Sequence, residues 1–564
     1  MEKTWLKQYP AGVPANIDVE QYPSLVALLE ESLKRYASLP AYKFMGKAIS
    51  FAQVDEASRA LAAYLQSLGL AKGDRVAIMM PNVPQYPVAV AAILRAGYVV
   101  VNVNPLYTPR ELEHQLKDSG AKVMLMVENF ATTMQQVINA VPTKKVIVTA
   151  LGDMLGFPKS LIVNYVVRKV KKMVPAFDLP GAVKFNDALS QGRGKTFKPA
   201  QVGPDDIAVL QYTGGTTGVS KGAVLLHRNL VANILQAEAW YQPALKKIPK
   251  GEQINTVCAL PIYHIFGFNT NMMLSMRMGG CNILIANPRD LPGVFKDLAR
   301  EKFHSFPAVN TLFNAMANHP DFGTVDWSSL VISVGGGMAV QSATAKLWLE
   351  KTGCPIVEGY GLSETSPSAT CNPVDSTAYS GNIGLPMPNT ELTLLDDDGR
   401  EVPLGTPGEI AIRGPQVMAG YWQRPDETAK VMTVAGFLRT GDIGPMDERG
   451  YRLWNNVSND YGWRSYLGVP PGSDGVSGHA SPARCEDLTG LPPAWVGVGT
   501  LDLFLDEDLA YAGRLRSAGV PCRVEVVEGA FHAFDYLAPS SSISRRFRDS
   551  QLESLAAAFR SVHR

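Results

Sequence analysis

The sequence has little cysteine, no charge bias and no long apolar run, and each shortage closes off a class of protein. Its six cysteines (Cys258, Cys281, Cys354, Cys371, Cys485 and Cys522) are scattered. None sits in a Cys-x-x-Cys pair or beside a histidine at ligand spacing. That argues against a disulfide framework or a zinc site and fits a reducing compartment. The formal charge of +1 gives no global pull toward nucleic acid or an anionic membrane. The opening residues, MEKTWLKQYPAGVPANI, contain no long apolar run, so no secretory signal is expected. The most apolar stretch, 87–103, is broken by Arg95 and Gly97. It reads as a helix feeding a buried strand rather than a membrane span. No internal repeat or low-complexity segment occurs, and the expected setting is the cytoplasm.

What is present is the composition of a soluble globular protein, 46% hydrophobic and 19% charged. At 564 residues the chain exceeds one hydrophobic core, so several domains are expected. Ser24–Tyr36, Phe51–Leu68 and Pro109–Ser119 are amphipathic at helical spacing. Arg75–Met80, Tyr98–Val103 and Lys122–Val127 are compact apolar strands, and strands recur at Ile207–Tyr212, Asn255–Leu260 and Leu330–Val334. Such alternation predicts an α/β fold with parallel, helix-covered sheets. From about 383 to 451 short strands and turns such as Asp396-Asp397-Asp398-Gly399 predict a small β-rich subdomain. Leu161–Val174 is apolar first and basic later. It fits either a contact with an anionic membrane surface or a surface helix with one buried face, and both readings stay open.

Residues 212–222, YTGGTTGVSKG, follow the apolar run Ile207–Gln211. A phosphate-rich ligand needs close backbone approach, hydroxyls and a cation. Gly214, Gly215 and Gly218 permit the approach; Thr213, Thr216, Thr217 and Ser220 offer hydroxyls; Lys221 supplies charge. The order differs from the Walker pattern, because Ser220 precedes Lys221 and Gly222 follows it.

This string resembles the phosphate loop of the adenylate-forming (AMP-binding) superfamily. The chain up to about 453 is similar to the bacterial long-chain fatty acyl-CoA synthetases, on NPLYTPRELEHQL (104–116), GGTTG (214–218), YHIF (263–266), NPRD (287–290), NTLFNA (310–315), GPQVM (414–418) and GYWQRPD (420–426). The resemblance implies a large domain of two helix-covered sheets plus the β-rich subdomain. It implies adenylation of a fatty acid by ATP with Mg²⁺, then transfer of the acyl group to coenzyme A. It places Tyr212, Thr213, Gly214, Gly215, Thr216, Thr217, Gly218, Ser220 and Lys221 on the phosphates. It lays Gly335, Gly336 and Gly337 against the adenine, although a plain strand-to-helix turn explains them as well. The segment Glu358, Gly359, Tyr360, Gly361, Leu362, Ser363, Glu364 becomes the adenine and metal segment. There Tyr360 stacks on the base, Ser363 keeps a phosphate-facing hydroxyl, and Glu364 with Thr217 holds Mg²⁺. Asp442 accepts from the ribose hydroxyls, with a turn cap as its alternative. His264 sits near the carboxylate or is a core histidine. Thr217, Lys221, His264 and Glu364 are the catalytic candidates. Tyr263, Phe266, Met272 and Met273 are candidates for an acyl pocket. Fatty acid, ATP and coenzyme A are the expected partners, with no nucleic acid; a homodimer and a peripheral contact at the inner membrane face stay open.

After Trp454 the text changes. The superfamily continues with a hinge and a small mobile domain carrying a catalytic lysine. Residues 455–564 contain no such hinge and no Gly-Lys pair. Instead LPPAWVGVGTLD (491–502), the amphipathic run to Gly519 and VPCRVEVVEGAFHAF (520–534) resemble the C-terminal end of hormone-sensitive-lipase-like α/β-hydrolases. By that match Asp502 and His532 are the Asp and His of a Ser-His-Asp triad. The nucleophile elbow GxSxG is absent, since GVSGH (475–479) and GLSET (361–365) both fail it. The expected organisation is therefore a synthetase large domain over 1–453 and a partial α/β-hydrolase over 455–564, with Gly472–His479 as a loop. The leading reading is a long-chain fatty acid–CoA ligase whose C-terminal domain is replaced. Three others stay open. One is an esterase completed by a partner that supplies the nucleophile. Another is a binding module for ATP or acyl-adenylate without turnover. The last is that the join is a frameshift, an assembly error or an engineered fusion, which resequencing codons 445–465 tests.

Overall fold

The computed structural model describes residues 3–213, 220–447, 487–500, 505–530, 534–537 and 541–562. The chain divides into two compact units, Met1–Ser458 and Asn459–Arg564.

The first unit carries two mainly parallel sheets. The seven-stranded sheet runs Val183–Lys184, Lys145–Thr149, Val123–Val127, Arg75–Met79, Val99–Asn102, Ile207–Thr213, Lys221–Leu226. The nine-stranded sheet runs Leu385–Pro386, Ser368–Cys371, Ile356–Gly361, Ile332–Gly335, Ser305–Ala308, Asn255–Cys258, Cys281–Leu284, Pro40–Phe44, Lys47–Ser50. Helices cover both, as the strand–helix alternation implies. The β-rich subdomain is a three-stranded antiparallel sheet of Glu391–Leu395, Gly408–Arg413 and Leu438–Gly444.

Local chemistry explains the elements. The helix Pro109–Ser119 starts at a capping box, with the Thr108 hydroxyl on the Glu111 amide and the Glu111 carboxylate on the Thr108 amide, and stops at left-handed Gly120. The helix Gln85–Arg95 is buried along its whole length, which explains its continuous apolar text. Arg95, only 1% exposed, donates to the Ser58 hydroxyl at 2.6 Å and pairs with Asp55. The charge that interrupts the apolar run thus ties two helices together instead of facing water.

Two differences from the sequence expectation bear on the site. Lys221–Leu226 is an antiparallel strand, with Thr213 opposite Lys221. The glycine- and threonine-rich string therefore connects two antiparallel strands at a sheet edge, a pairing that the sequence did not indicate. Gly335 closes the strand Ile332–Gly335 instead of following it.

In the second unit Ala494–Gly499 and Cys522–Val527 pair in parallel, and the helix Leu505–Ser517 crosses between them. Trp495 packs edge-on against Phe547 of the helix Ser542–Val562 at 5.0 Å. Asp502, His532 and Gly472–His479 lie outside the described residues. Cys258, Cys281, Cys354, Cys371 and Cys522 are unpaired thiols. Among the described residues no helix is long and apolar enough to cross a membrane.

Candidate active site

A cavity of about 190 Å³ opens in the first unit. Three strings far apart in sequence meet on its wall: His264 and Phe266, then Gly336 and Gly337, then Gly359, Tyr360, Gly361 and Ser363. Parallel strand order brings them together, because Ile332–Gly335 lies beside Ile356–Gly361 and their carboxyl ends share one edge. Ala237, Trp240 and Tyr241, from the buried helix His227–Leu245, line it with Met387 and supply apolar surface.

Packing makes several glycines obligatory. A Cβ on Gly361 would sit 1.8 Å from the Pro367 carbonyl oxygen, and one on Gly335 2.4 Å from Val340 Cγ2. At Gly336 it would lie 3.0 Å from the Phe266 ring, and Gly337 has φ +76°. The turn geometry alone thus requires part of the glycine run, while Gly336 and Gly337 still face the cavity.

Tyr360 and Asp442 come from different sheets, and the Tyr360 hydroxyl donates to Asp442 Oδ2 at 2.6 Å. Glu364 is buried, and its Oε1 accepts the Tyr421 hydroxyl at 2.7 Å. Lys221 donates to Glu427 Oε2 at 2.8 Å and lies 4.7 Å from the centre of the Tyr421 ring. Lys221 and Glu364 are therefore linked through one tyrosine. Thr213 closes the hairpin opposite Lys221, and the Ser220 carbonyl lies 3.0 Å from His114 Nε2. The Tyr212 hydroxyl is held by Asp118 at 2.7 Å, and Arg424 pairs with the same carboxylate at 2.6 Å. Gly214, Gly215, Thr216, Thr217 and Gly218 lie outside the described residues.

Glu358 is 8% exposed; its Oε1 accepts the Val340 amide at 3.3 Å and its Oε2 has no partner. Burial raises its carboxyl to about 7. The His264 ring stands exposed at the cavity mouth, while the protein around it desolvates the imidazolium and lowers its pKa. It is not a core histidine. Of the acyl-pocket candidates, Phe266 lines the cavity, whereas Met272 and Met273 are each 1% exposed and pack into the core.

Sequence reasoning missed Tyr421, Glu427, Asp118 and the Trp240 wall. The signal for the first was in plain view, since Tyr421 belongs to GYWQRPD (420–426). Its role depends on reaching Glu364, 57 residues away.

Residues 29–422 match the family model described as AMP-binding enzyme. The chain belongs to the AMP-binding enzyme family. This AMP-binding chain is 52% identical over 452 residues to the long-chain-fatty-acid–CoA ligase of Escherichia coli O6:H1, covering 80% of each. The corresponding ligase of Yersinia pestis is 53% identical over the same length and shares. Among solved structures, ATP-bound MatB from Rhodopseudomonas palustris superposes with a TM-score of 0.64 at 27% identity, covering 76% of this chain and 78% of that one. The anthranilate CoA ligase AuaEII, in complex with anthranoyl-AMP, shares the fold with a TM-score of 0.67 at 24% identity, over 78% and 79% of the two chains. Residues 436–536 match a second model, described as alpha/beta hydrolase fold.

Proposed function

We propose that the first unit is the adenylating part of an ATP-dependent long-chain fatty acid–CoA ligase. The observation that carries this is the cavity where Gly336, Gly337, Tyr360 and Ser363 meet, with Asp442 drawn to its edge by the Tyr360 hydroxyl. An aromatic face, glycines without side chains and a carboxylate suit an adenosine with its ribose hydroxyls. The apolar wall of Ala237, Trp240 and Tyr241 suits an acyl chain.

In the reaction a carboxylate oxygen of the fatty acid bonds to the α-phosphorus of ATP as the bond to pyrophosphate breaks. The coenzyme A sulfur then bonds to the acyl carbon and AMP leaves. Lys221 faces the phosphates once it leaves Glu427, and the resemblance assigns the hydroxyls of Thr213, Thr216, Thr217 and Ser220 to them. Glu364 fits Mg²⁺, which is commonly held by one or two carboxylates completed by phosphate oxygens. When bound, Mg²⁺ neutralises charge that develops on the transferring phosphate. His264 at the mouth is placed to hydrogen-bond the substrate carboxylate, and its lowered pKa keeps the ring neutral at pH 7.

In ligases of this family a lysine of the C-terminal domain completes the site. Here residues 436–536 match a hydrolase instead. Loss of one such donor costs about 10² to 10³ in rate. The reading is tested by palmitate-dependent pyrophosphate release from the whole chain with ATP and Mg²⁺, with and without coenzyme A. Slow release that disappears in Glu364→Gln, without palmitoyl-CoA, is expected. ATP binding with no release at all would make the chain a nucleotide-binding module.

The hydrolase match over 436–536 supports a second reading for the tail 455–564: an esterase half whose nucleophile comes from a partner. Hydrolysis of a short-chain ester that is lost in His532→Ala supports it, and none with any hydrolase half added excludes it.

A further inference from the structure

The helix Pro109–Ser119 runs beside the hairpin that carries Lys221, and one carboxylate near its end gathers distant segments. Asp118 Oδ2 accepts the Tyr212 hydroxyl at 2.7 Å, and its Oδ1 accepts from Arg424 at 2.6 Å. The Asp118 carbonyl accepts the Trp422 indole N–H at 3.1 Å. The Asp118 side chain is 9% exposed, so its charge depends on these donors rather than on water.

Helix stability does not explain an aspartate here. The helix is already closed by left-handed Gly120. Its last turn is the negative end of the helix dipole, where a carboxylate is disfavoured and a cation is preferred. Asp118 therefore costs its own helix something and acts on what it holds.

What it holds is the stem of the hairpin. Tyr212 stands near the end of the strand Ile207–Thr213, and its ring lies against Gly222, where a Cβ would sit 3.1 Å away. Gly222 follows Lys221 on the returning strand, and its carbonyl accepts the Trp422 amide at 2.8 Å. Tyr421 bridges Ala223 in antiparallel fashion, so this segment extends the sheet beyond the returning strand. Arg75 lies over the Trp422 ring at 5.5 Å. His114, one turn earlier on the same helix, has Nε2 3.0 Å from the Ser220 carbonyl. Arg424 directly precedes the helix Pro425–Val431, whose Glu427 meets Lys221. Asp118 thus fixes the residues before and after Lys221 and the segment that supplies both of its neighbours, Tyr421 and Glu427.

We propose that Asp118 is a positioning residue for ATP: by holding Tyr212 and Arg424 it sets the hairpin stem and Lys221 where the phosphate chain is received. It is not on the cavity wall and touches no ligand itself. This rests on the ligase reading.

The test is calorimetric binding of two probes to the whole chain. One is ATP with Mg²⁺. The other is a sulfamate analogue of palmitoyl-adenylate, which keeps the adenosine and the acyl chain but lacks the β- and γ-phosphates. Asp118→Asn should weaken ATP binding by about tenfold, the effect of one hydrogen bond to a charged group, and leave the analogue within about twofold. A merely structural role would weaken both probes alike, and that result overturns the proposal. In a Tyr212→Phe/Arg424→Gln background the same substitution should cost almost nothing, because its two partners are gone. A full tenfold loss there would overturn it too. Should Asp118→Asn fail to fold, Arg424→Gln decides alone, since Arg424 is 41% exposed; it should weaken ATP and spare the analogue. Wild type that binds ATP no better than either variant overturns the proposal and leaves the ligase reading standing. Wild type that binds neither probe overturns both.

Discussion

Lys221 donates to Glu427 across 2.8 Å, joining the phosphate hairpin to the first turn of the helix Pro425–Val431. Lys221, with Lys430 adding to it, holds the Glu427 carboxyl down at about 2, so this carboxylate is ionised throughout the neutral range. On the proposed function a nucleotide's phosphates compete with this carboxylate for Lys221, the only cation between Thr213 and Lys221 in the sequence. Glu427→Gln is therefore expected to tighten ATP binding by about two- to fivefold, the size of a partly exposed ion pair. Titration calorimetry of ATP against both proteins checks it. Weaker binding in the variant would mean that Glu427 positions Lys221 for the phosphates instead of withholding it.

The Tyr360 hydroxyl and Asp442 are already hydrogen-bonded to each other. If ribose hydroxyls take over Asp442 when nucleotide binds, Asp442→Asn should weaken ATP binding by about 1.5–3 kcal/mol, the worth of hydrogen bonds to a charged group. Tyr360→Phe keeps the ring and should cost far less. Equal affinity of wild type and Asp442→Asn for ATP would remove Asp442 from the site.

Gly361 has no room for a methyl group, because its Cβ would meet the Pro367 carbonyl oxygen at 1.8 Å, backbone against backbone. Gly361→Ala should destabilise the first unit by about 1–3 kcal/mol or more. Gly323→Ala meets nothing within 4 Å and should melt like wild type. Thermal melts of the two variants side by side read the difference. Matching melting temperatures would show that the turn relaxes easily.

Burial raises the Glu358 carboxyl from 4.5 to about 7. The folded protein holds this proton more tightly than the unfolded chain does. Its contribution to stability is thus full below about pH 4.5 and is lost as pH rises through about 7. Glu358→Gln keeps the shape without the charge. It should be more stable than wild type at pH 8, by up to about 3 kcal/mol, and no more stable at pH 4.5. Parallel melting curves at both pH values, with no change in their separation, would exclude the linkage.

Much of the architecture was legible in the text. Apolar runs of five residues gave Arg75–Met79 and Val123–Val127, and Thr108, Pro109, Glu111 and Gly120 bound their helix almost to the residue. The hairpin partner Lys221–Leu226 was not legible. A short apolar run after a glycine-rich string reads the same whether it pairs parallel or antiparallel. The site was legible as separate strings but not as a site. The text names Lys221, Glu364 and Asp442, yet it says nothing of Tyr421 standing between the first two, or of the 82 residues that separate Tyr360 from Asp442.

By itself the sequence determined most of the segments that become strand, helix or turn, and that the chain joins an AMP-binding part to a C-terminal segment of hydrolase type. Those properties depend on neighbours a few residues apart, through side-chain periodicity, capping and backbone restriction. Only the tertiary structure decided that Lys221 is held by Glu427, that Trp240 and Tyr241 wall the cavity, and that Asp118 takes both Tyr212 and Arg424. Sheet order and packing set which distant side chains meet and which are left to solvent. Nothing within a dozen residues of Asp118 states that its carboxylate meets them.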